Sequence, residues 1–120
     1  MSNLRVRRAT ADDVAVLVVL IDEFAAGHPA ERHPRSVERM EEALFGEEPL
    51  GHVLIAERQS TTVGFGMWRK TYDLFWSMYG GEGIGLFVRR THRGTGVACC
   101  IVAAICAEIR EEGGQFLQTT

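Results

Sequence analysis

The stretch best suited to chemistry is Leu86-Phe87-Val88-Arg89-Arg90-Thr91-His92-Arg93-Gly94-Thr95-Gly96-Val97-Ala98. An apolar strand runs into a turn with two glycines, and the turn opens directly into a helix. Glycine takes positive φ at little cost and lets backbone approach a ligand closely. The first turn of a helix offers unpaired N–H groups at the positive end of its dipole, which suits an anion. Arg93 adds a guanidinium whose fork matches phosphate oxygens. Arg93, Gly94, Thr95, Gly96, Val97 and Ala98 therefore predict a diphosphate cradle.

Two other phosphate-binding turns fit less well. A P-loop needs Gly-x-x-x-x-Gly-Lys-Ser/Thr, and no lysine stands in this turn. A dinucleotide fingerprint needs a third glycine or alanine where Cys99 stands, and an acidic residue about 20 positions further on. Cys99 itself falls in the first helical turn, where a thiolate is favoured, but burial against a sheet is the plainer reading. Cys99, Cys100 and Cys106 share one predicted helix without a C-x-x-C pair, so they read as small buried residues rather than a disulfide framework or a zinc site. His28, His33 and His52 lack metal-ligand spacing, and no metal is expected.

The elements that must position the cradle follow from periodicity. Leu4, Val6 and Ala9 alternate with Arg5, Arg7 and Arg8 as a first strand. Thr10-Ala11-Asp12-Asp13 resembles a capping box, and the helix behind it runs to about Ala26, stopped by Gly27 and Pro29. A loop spans His28 to Arg35. Ser36 caps a shorter helix, Val37 to Phe45, which Gly46 ends. His52 to Glu57 suits a strand buried on both faces, Gln59 to Thr62 a polar turn, and Val63 to Arg69 the return strand of a hairpin. Thr71 to Gly81 is aromatic and carries no assignable pattern; Tyr72, Trp76 and Tyr79 read as core or as a pocket wall. Glu82 to Arg89 is a further strand. The last helix, about Gly96 to Glu112, carries Val97, Ile101, Ile105 and Ile109 as one stripe. Gly113-Gly114 ends it, and Gln115 to Thr120 begins a strand. The fold class is α/β, in the order β-α-α-β-β-β-α-β, with a mixed, mostly antiparallel sheet flanked by helices. Residues 1–120 form a single domain without repeat or linker.

With 46% apolar and 24% charged residues the chain has ordinary globular composition. A net charge of −3 and a pI near 5.8 argue against a nucleic-acid surface. The longest apolar run, Val14 to Ile21, is shorter than the ~20 residues of a membrane span and is bracketed by acids, so neither membrane nor signal peptide is expected. The expected location is cytoplasmic.

The turn resembles the Arg/Gln-x-x-Gly-x-Gly/Ala signature of the GNAT N-acetyltransferase superfamily, with Arg93, Gly96 and Ala98 on its fixed positions. Leu86-Phe87-Val88-Arg89-Arg90 is similar to the family's bulged fourth strand. Glu42-Ala43-Leu44-Phe45-Gly46 and Val63-Gly64-Phe65-Gly66 look most like its diamine and polyamine acetyltransferase branch. The resemblance implies the acyl-CoA N-acyltransferase fold and acetyl-CoA as co-substrate, lying in a splay between the fourth and fifth strands. Its pantetheine would pair with backbone of Leu86, Phe87 and Val88, and its diphosphate would rest on Gly94 to Ala98. An N–H near Phe87 or Val88 would polarise the thioester carbonyl. The acceptor would be a primary amine of a small polyamine- or amino-acid-like molecule, attacking directly in a ternary complex.

The chain also departs from that pattern. Where the diamine branch carries a Glu-Asp pair, Ile84 and Gly85 stand here. Glu82, two residues earlier and roughly 6.6 Å along a strand, is the candidate base acting through a water, against the plainer reading of a solvated strand-end carboxylate. His92 sits where the family commonly has an aromatic and reads as packing. Asp22 and Glu23 could receive a cationic amine, although a solvated helix face is simpler. The resemblance implies a further helix, bearing the tyrosine that protonates the leaving thiolate, and a terminal hairpin. The 120 residues stop short of both, so the chain reads as C-terminally short and its last strand as an open edge for a homodimer partner. The rival reading is a non-catalytic acetyl-CoA- or CoA-binding or dimerisation module.

Overall fold

A computed structural model of the chain describes residues 3–26 and 35–119. β1, Leu4–Arg8, leads through a short 3-10 turn at Ala11–Asp13 into α1, Val14–Ala25. The capping box forms as expected, with the Thr10 N–H donating to Asp13 Oδ2 at 2.7 Å. The same carboxylate takes a two-pronged contact from Arg7, both N–O distances being 2.9 Å, and Arg7 Nε bonds Glu57 at 3.0 Å. The three side chains tie β1, the entry to α1 and the second strand together. The expected loop lies mostly in residues 27–34, outside the described residues, as do His28 and His33. α2, Val37–Phe45, is capped by Ser36 Oγ, which accepts from the Arg39 N–H at 3.1 Å.

β2, His52–Arg58, and β3, Thr61–Asp73, form a hairpin on Gln59 and Ser60. Both turn residues have positive φ, 53° and 66°, the geometry whose twist matches two-residue hairpins. The expected four-residue turn is therefore two residues long. β3 also runs four residues beyond Arg69, into the stretch that carried no pattern. Asp73 Oδ1 accepts from the N–H groups of Phe75 and Trp76 at 2.9 and 3.0 Å, and this turn hands the chain to β4, Met78–Val88. α3, Val97–Glu111, and β5, Leu117–Thr119, complete the fold.

The sheet order is β1-β2-β3-β4-β5, antiparallel except for the parallel β4–β5 pair. α1 and α2 cover one face, where Leu17 and Leu20 pack with Val53, Ile55, Phe65 and Phe87. α3 covers the other with Val97, Ile101, Ile105 and Ile109, as its stripe predicts, against Leu54, Ala56, Val63 and Trp68. α3 can lie this close because β3 offers Gly66, where a Cβ would stand 2.5 Å from Ile101 Cγ2. Trp68 donates its indole N–H to Glu108 at 2.8 Å, so the one polar atom of this buried ring is satisfied.

Two expectations are corrected. Cys99 and Cys100 are exposed and Cys106 is half-buried, because the i, i+4 stripe fills the sheet side of α3 and turns the cysteines away from it. Tyr72 and Trp76 are exposed at the hairpin tip rather than packed in the core. Among the described residues no helix is long and apolar enough to cross a membrane.

Candidate active site

β4 and β5 share only a short stretch of ladder. Gly81, Glu82 and Gly83 pair with Leu117, Gln118 and Thr119. On the other side of β4, Met67 lies opposite Gly85 while Trp68 lies opposite Gly83, so Ile84 is an extra residue in a bulge. A bulge bends the strand and sharpens its twist. Among the described residues, β4 from Ile84 onward has a strand on one side only, and its second edge is open.

The direction of the open backbone groups follows from one bond. The Arg89 N–H donates to the Val63 carbonyl at 2.8 Å. In an antiparallel ladder hydrogen-bonded and non-bonded pairs alternate. Phe87, opposite Phe65, thus turns its N–H and C=O toward β3, while Leu86 and Val88 turn theirs to the open edge. Of the two N–H groups expected near a thioester carbonyl, only that of Val88 points outward. Its carbonyl accepts from Arg93 Nε at 2.9 Å, and the Arg93 guanidinium lies 5.7 Å from the centroid of the Phe87 ring.

The chain leaves β4 through a 3-10 turn at Arg90–His92 and reaches Gly94 and Gly96 with φ of +76° and +88°. Gly96 is the N-cap of α3. A Cβ added at either glycine would meet nothing within 4 Å, so the space over the turn is open. Arg58, at the end of β2, braces the turn from behind. Its Nη1 lies 3.1 Å from His92 Nδ1 and donates to Thr95 Oγ1 at 3.2 Å. A guanidinium can only donate, so His92 Nδ1 accepts and the ring carries its proton on Nε2. Thr95 passes the bond on by donating its hydroxyl to the His92 carbonyl. His92 and Thr95 therefore shape the turn.

A cavity of about 620 Å³ joins these parts. Leu86, Phe87, Val88, Arg93, Gly94, Gly96, Val97 and Ala98 all face it; Thr95 does not line it. Phe24 and Glu23 of α1 close the cavity from the other side. Phe24 stacks at 5.6 Å from Phe87, and Glu23 is held by Arg89 Nη2 at 3.0 Å. Periodicity could not place Phe24 or Arg58 here, because their contacts span dozens of residues of sequence. Glu82 lies outside this cavity. Its carboxylate is paired with Arg69 at 2.7 Å and is mostly buried, and the bulge at Ile84 interrupts the simple strand alternation between it and the open edge. Among the described residues no three His, Cys, Asp or Glu side chains converge on a metal position.

An open glycine turn on a helix N-terminus, continuous with a free strand edge, suits a diphosphate joined to an extended amide-bearing arm. That is the architecture of the acyl-CoA N-acyltransferase fold. The chain belongs to the GNAT acetyltransferase family, whose profile matches residues 17–120. It is a GNAT-type N-acetyltransferase, and acetyl-CoA is the co-substrate that family uses.

Solved structures share the fold closely. An aminoglycoside acetyltransferase from an uncultured soil metagenomic sample superposes with a TM-score of 0.81 at 16% identity, covering 98% of this chain and 76% of its own. An integron cassette protein from the mobile metagenome of Cole Harbour Salt Marsh reaches 0.83 at 25% identity, covering 95% and 75%. A ribosomal-protein-alanine N-acetyltransferase from Brucella melitensis biovar Abortus reaches 0.80 at 16%, covering 98% and 79%. No curated protein matches the sequence.

Proposed function

We propose that this protein is a single-domain cytoplasmic enzyme that transfers the acetyl group of acetyl-CoA to a primary amine of a small polyamine- or amino-acid-like molecule. The observation that carries the reading is the unbroken run from the open edge of β4 at Leu86 and Val88 to the glycine turn and the first turn of α3. Acetyl-CoA supplies an acyl group activated as a thioester. The outward groups of Leu86 and Val88 pair with its amide arm, and the Val88 N–H polarises the acyl carbonyl. Arg93 and the backbone of Gly94, Thr95, Gly96, Val97 and Ala98 hold the diphosphate. The amine nitrogen attacks the carbonyl carbon, the carbon–sulfur bond breaks with its electron pair leaving on the sulfur as the CoA thiolate, and the amine proton leaves to a base. Glu82 takes that proton through water, and Glu23, at the cavity rim, receives a second positive charge on the acceptor.

One observation favours the non-catalytic reading, a CoA-binding module. Glu82 is held by Arg69 away from the cavity and is the only base the sequence offers on this strand.

Calorimetric titration of acetyl-CoA into the chain, beside an Arg93→Ala/Gly94→Val variant, tests the cradle. Micromolar binding to the parent and none to the variant is expected; no binding to the parent would end the enzyme reading. Turnover is then read on a panel of polyamines, amino acids and an aminoglycoside, the last because a fold neighbour is named for that class. Binding without turnover on any amine would leave the CoA-binding module as the better account.

A further inference from the structure

The β3–β4 hairpin reaches beyond the rest of the sheet. β2 runs beside β3 only as far as the His52–Trp68 pair. Past it, Arg69–Asp73 pairs with β4 on one side and has no described strand on the other. An edge of this kind presents a row of backbone donors and acceptors ready to pair with another chain. The tip carries the most exposed apolar side chains of the described residues, Phe75 at 96%, Leu74 at 81% and Trp76 at 74% exposure, with Tyr72 at 57%. The Asp73 side chain fixes the turn, so these rings are held outward rather than left to collapse.

We infer that this edge pairs antiparallel with the same edge of a second copy of the chain, about a two-fold axis at Thr71. Its sequence, Arg69-Lys70-Thr71-Tyr72-Asp73, is complementary to itself in that register. Arg69 of one copy stands opposite Asp73 of the other, Lys70 opposite Tyr72, and Thr71 opposite Thr71. Opposite charges, a cation over an aromatic ring and a threonine pair are each favourable cross-strand neighbours. The five open residues match the five that pair, because the chain turns away at Leu74 just where β2 of the other copy begins. The tip then abuts that strand's entry, where Leu50 is 70% exposed. At ~200 Å² per aromatic side chain, each copy offers on the order of 500 Å² of exposed apolar surface at the tip. Two tips together bury on the order of 1,000 Å², before counting the paired backbone, which reaches the lower bound of a specific interface.

A lipid surface fits less well. The charge at the tip itself is the acid Asp73, and the chain is net negative, which does not favour an anionic membrane surface. The expected second copy is thus assigned to β3 and not to the free side of the three-residue β5. This interface is independent of the acetyl-transfer reading.

Sedimentation equilibrium of the whole chain over a concentration series tests it, with Thr71→Lys and Thr71→Cys beside the parent. The parent should dimerise with a micromolar Kd. Thr71→Lys sets two ammonium groups at the two-fold axis and should raise that Kd at least tenfold, with an unchanged circular dichroism spectrum. Facing α-carbons in such a pair lie roughly 5 Å apart, within disulfide reach. Oxidised glutathione should therefore link Thr71→Cys through position 71, while the parent, with its own three cysteines, gives no such link. A parent that stays monomeric would overturn the proposal. So would a dimer indifferent to Thr71→Lys and unlinked at position 71. Flotation of a monomeric parent with phosphatidylcholine vesicles, lost in Phe75→Ser/Trp76→Ser, would assign the tip to lipid instead. Should Thr71→Lys fail to fold, the mapped link decides.

Discussion

Arg93 Nε donates to the carbonyl of Val88 at 2.9 Å, so the arginine of the phosphate turn lies back along the open edge of β4. The contact joins the two halves of the proposed co-substrate site. It also occupies the backbone oxygen that an extended amide arm would use, so Arg93 must swing outward as the arm enters and its guanidinium then reaches the phosphates. We predict that Arg93→Ala weakens acetyl-CoA binding about tenfold, in keeping with ~1.5–3 kcal/mol for a charge-assisted hydrogen bond less the released contact to Val88. Arg93→Lys should recover only part of the loss, because an ammonium lacks the fork. Equal affinity for all three proteins in titration calorimetry would remove Arg93 from the site.

The glycine at the head of α3 allows a cleaner separation of strain from contact. Gly96 sits at φ +88° with open space around its Cβ position, so an added Cβ meets no clash in the free protein and its cost there is backbone strain. Gly96→Val should destabilise the fold by ~1–2 kcal/mol, the cost of a left-handed L-residue, and lower acetyl-CoA affinity more than tenfold as the turn relaxes. Gly96→Asn, which tolerates this region, should keep most of both. A melting temperature unchanged by valine would show that the turn is not held at positive φ.

Glu82 offers a split between chemistry and binding. Its removal as Glu82→Gln leaves the cavity lining intact, since the side chain lies outside it. Under the enzyme reading kcat for the best amine should fall about a hundredfold or more, the range of a lost general base, while the Kd for acetyl-CoA stays constant. Unchanged kcat would make Glu82 merely the partner of Arg69.

Asp13 sets an acid limit on stability. The hydrogen bonds from Arg7, foremost, and from the Thr10 N–H pull its carboxyl down to about 2, against the opposing effect of burial. Because the folded value lies below the ordinary 3.8, the contribution is present in full above pH ~4 and is lost as pH falls through about 2. Arg7 stays charged across that window, so the carboxylate alone titrates. The drop should be about 2 kcal/mol. Chemical denaturation of Asp13→Asn should show lower stability at neutral pH and a flatter decline between pH 4 and 2; a parallel decline in both proteins would contradict this.

Signals along the chain were enough for the parts that form within a few residues of one another. The glycine spacing, the apolar strand before it and the Ile101-Ile105-Ile109 stripe after it fix a strand–turn–helix unit whatever surrounds them, because φ preference and a 3.6-residue period act over a few residues. The caps at Asp13 and Ser36 were legible for the same reason. The remaining features depend on contacts made across the fold. Ile84 became a bulge only because Trp68 and Met67 chose Gly83 and Gly85 as partners across the ladder, and that choice opened the edge at Leu86 and Val88. The strands through Thr71 to Gly81 carry no alternation, since Gly80 and Gly81 answer to Phe116 and Ile109 rather than to a half-buried face. Phe24 and Arg58 entered the site from α1 and β2 by contacts with partners 34 or more positions away, which no window along the chain can contain.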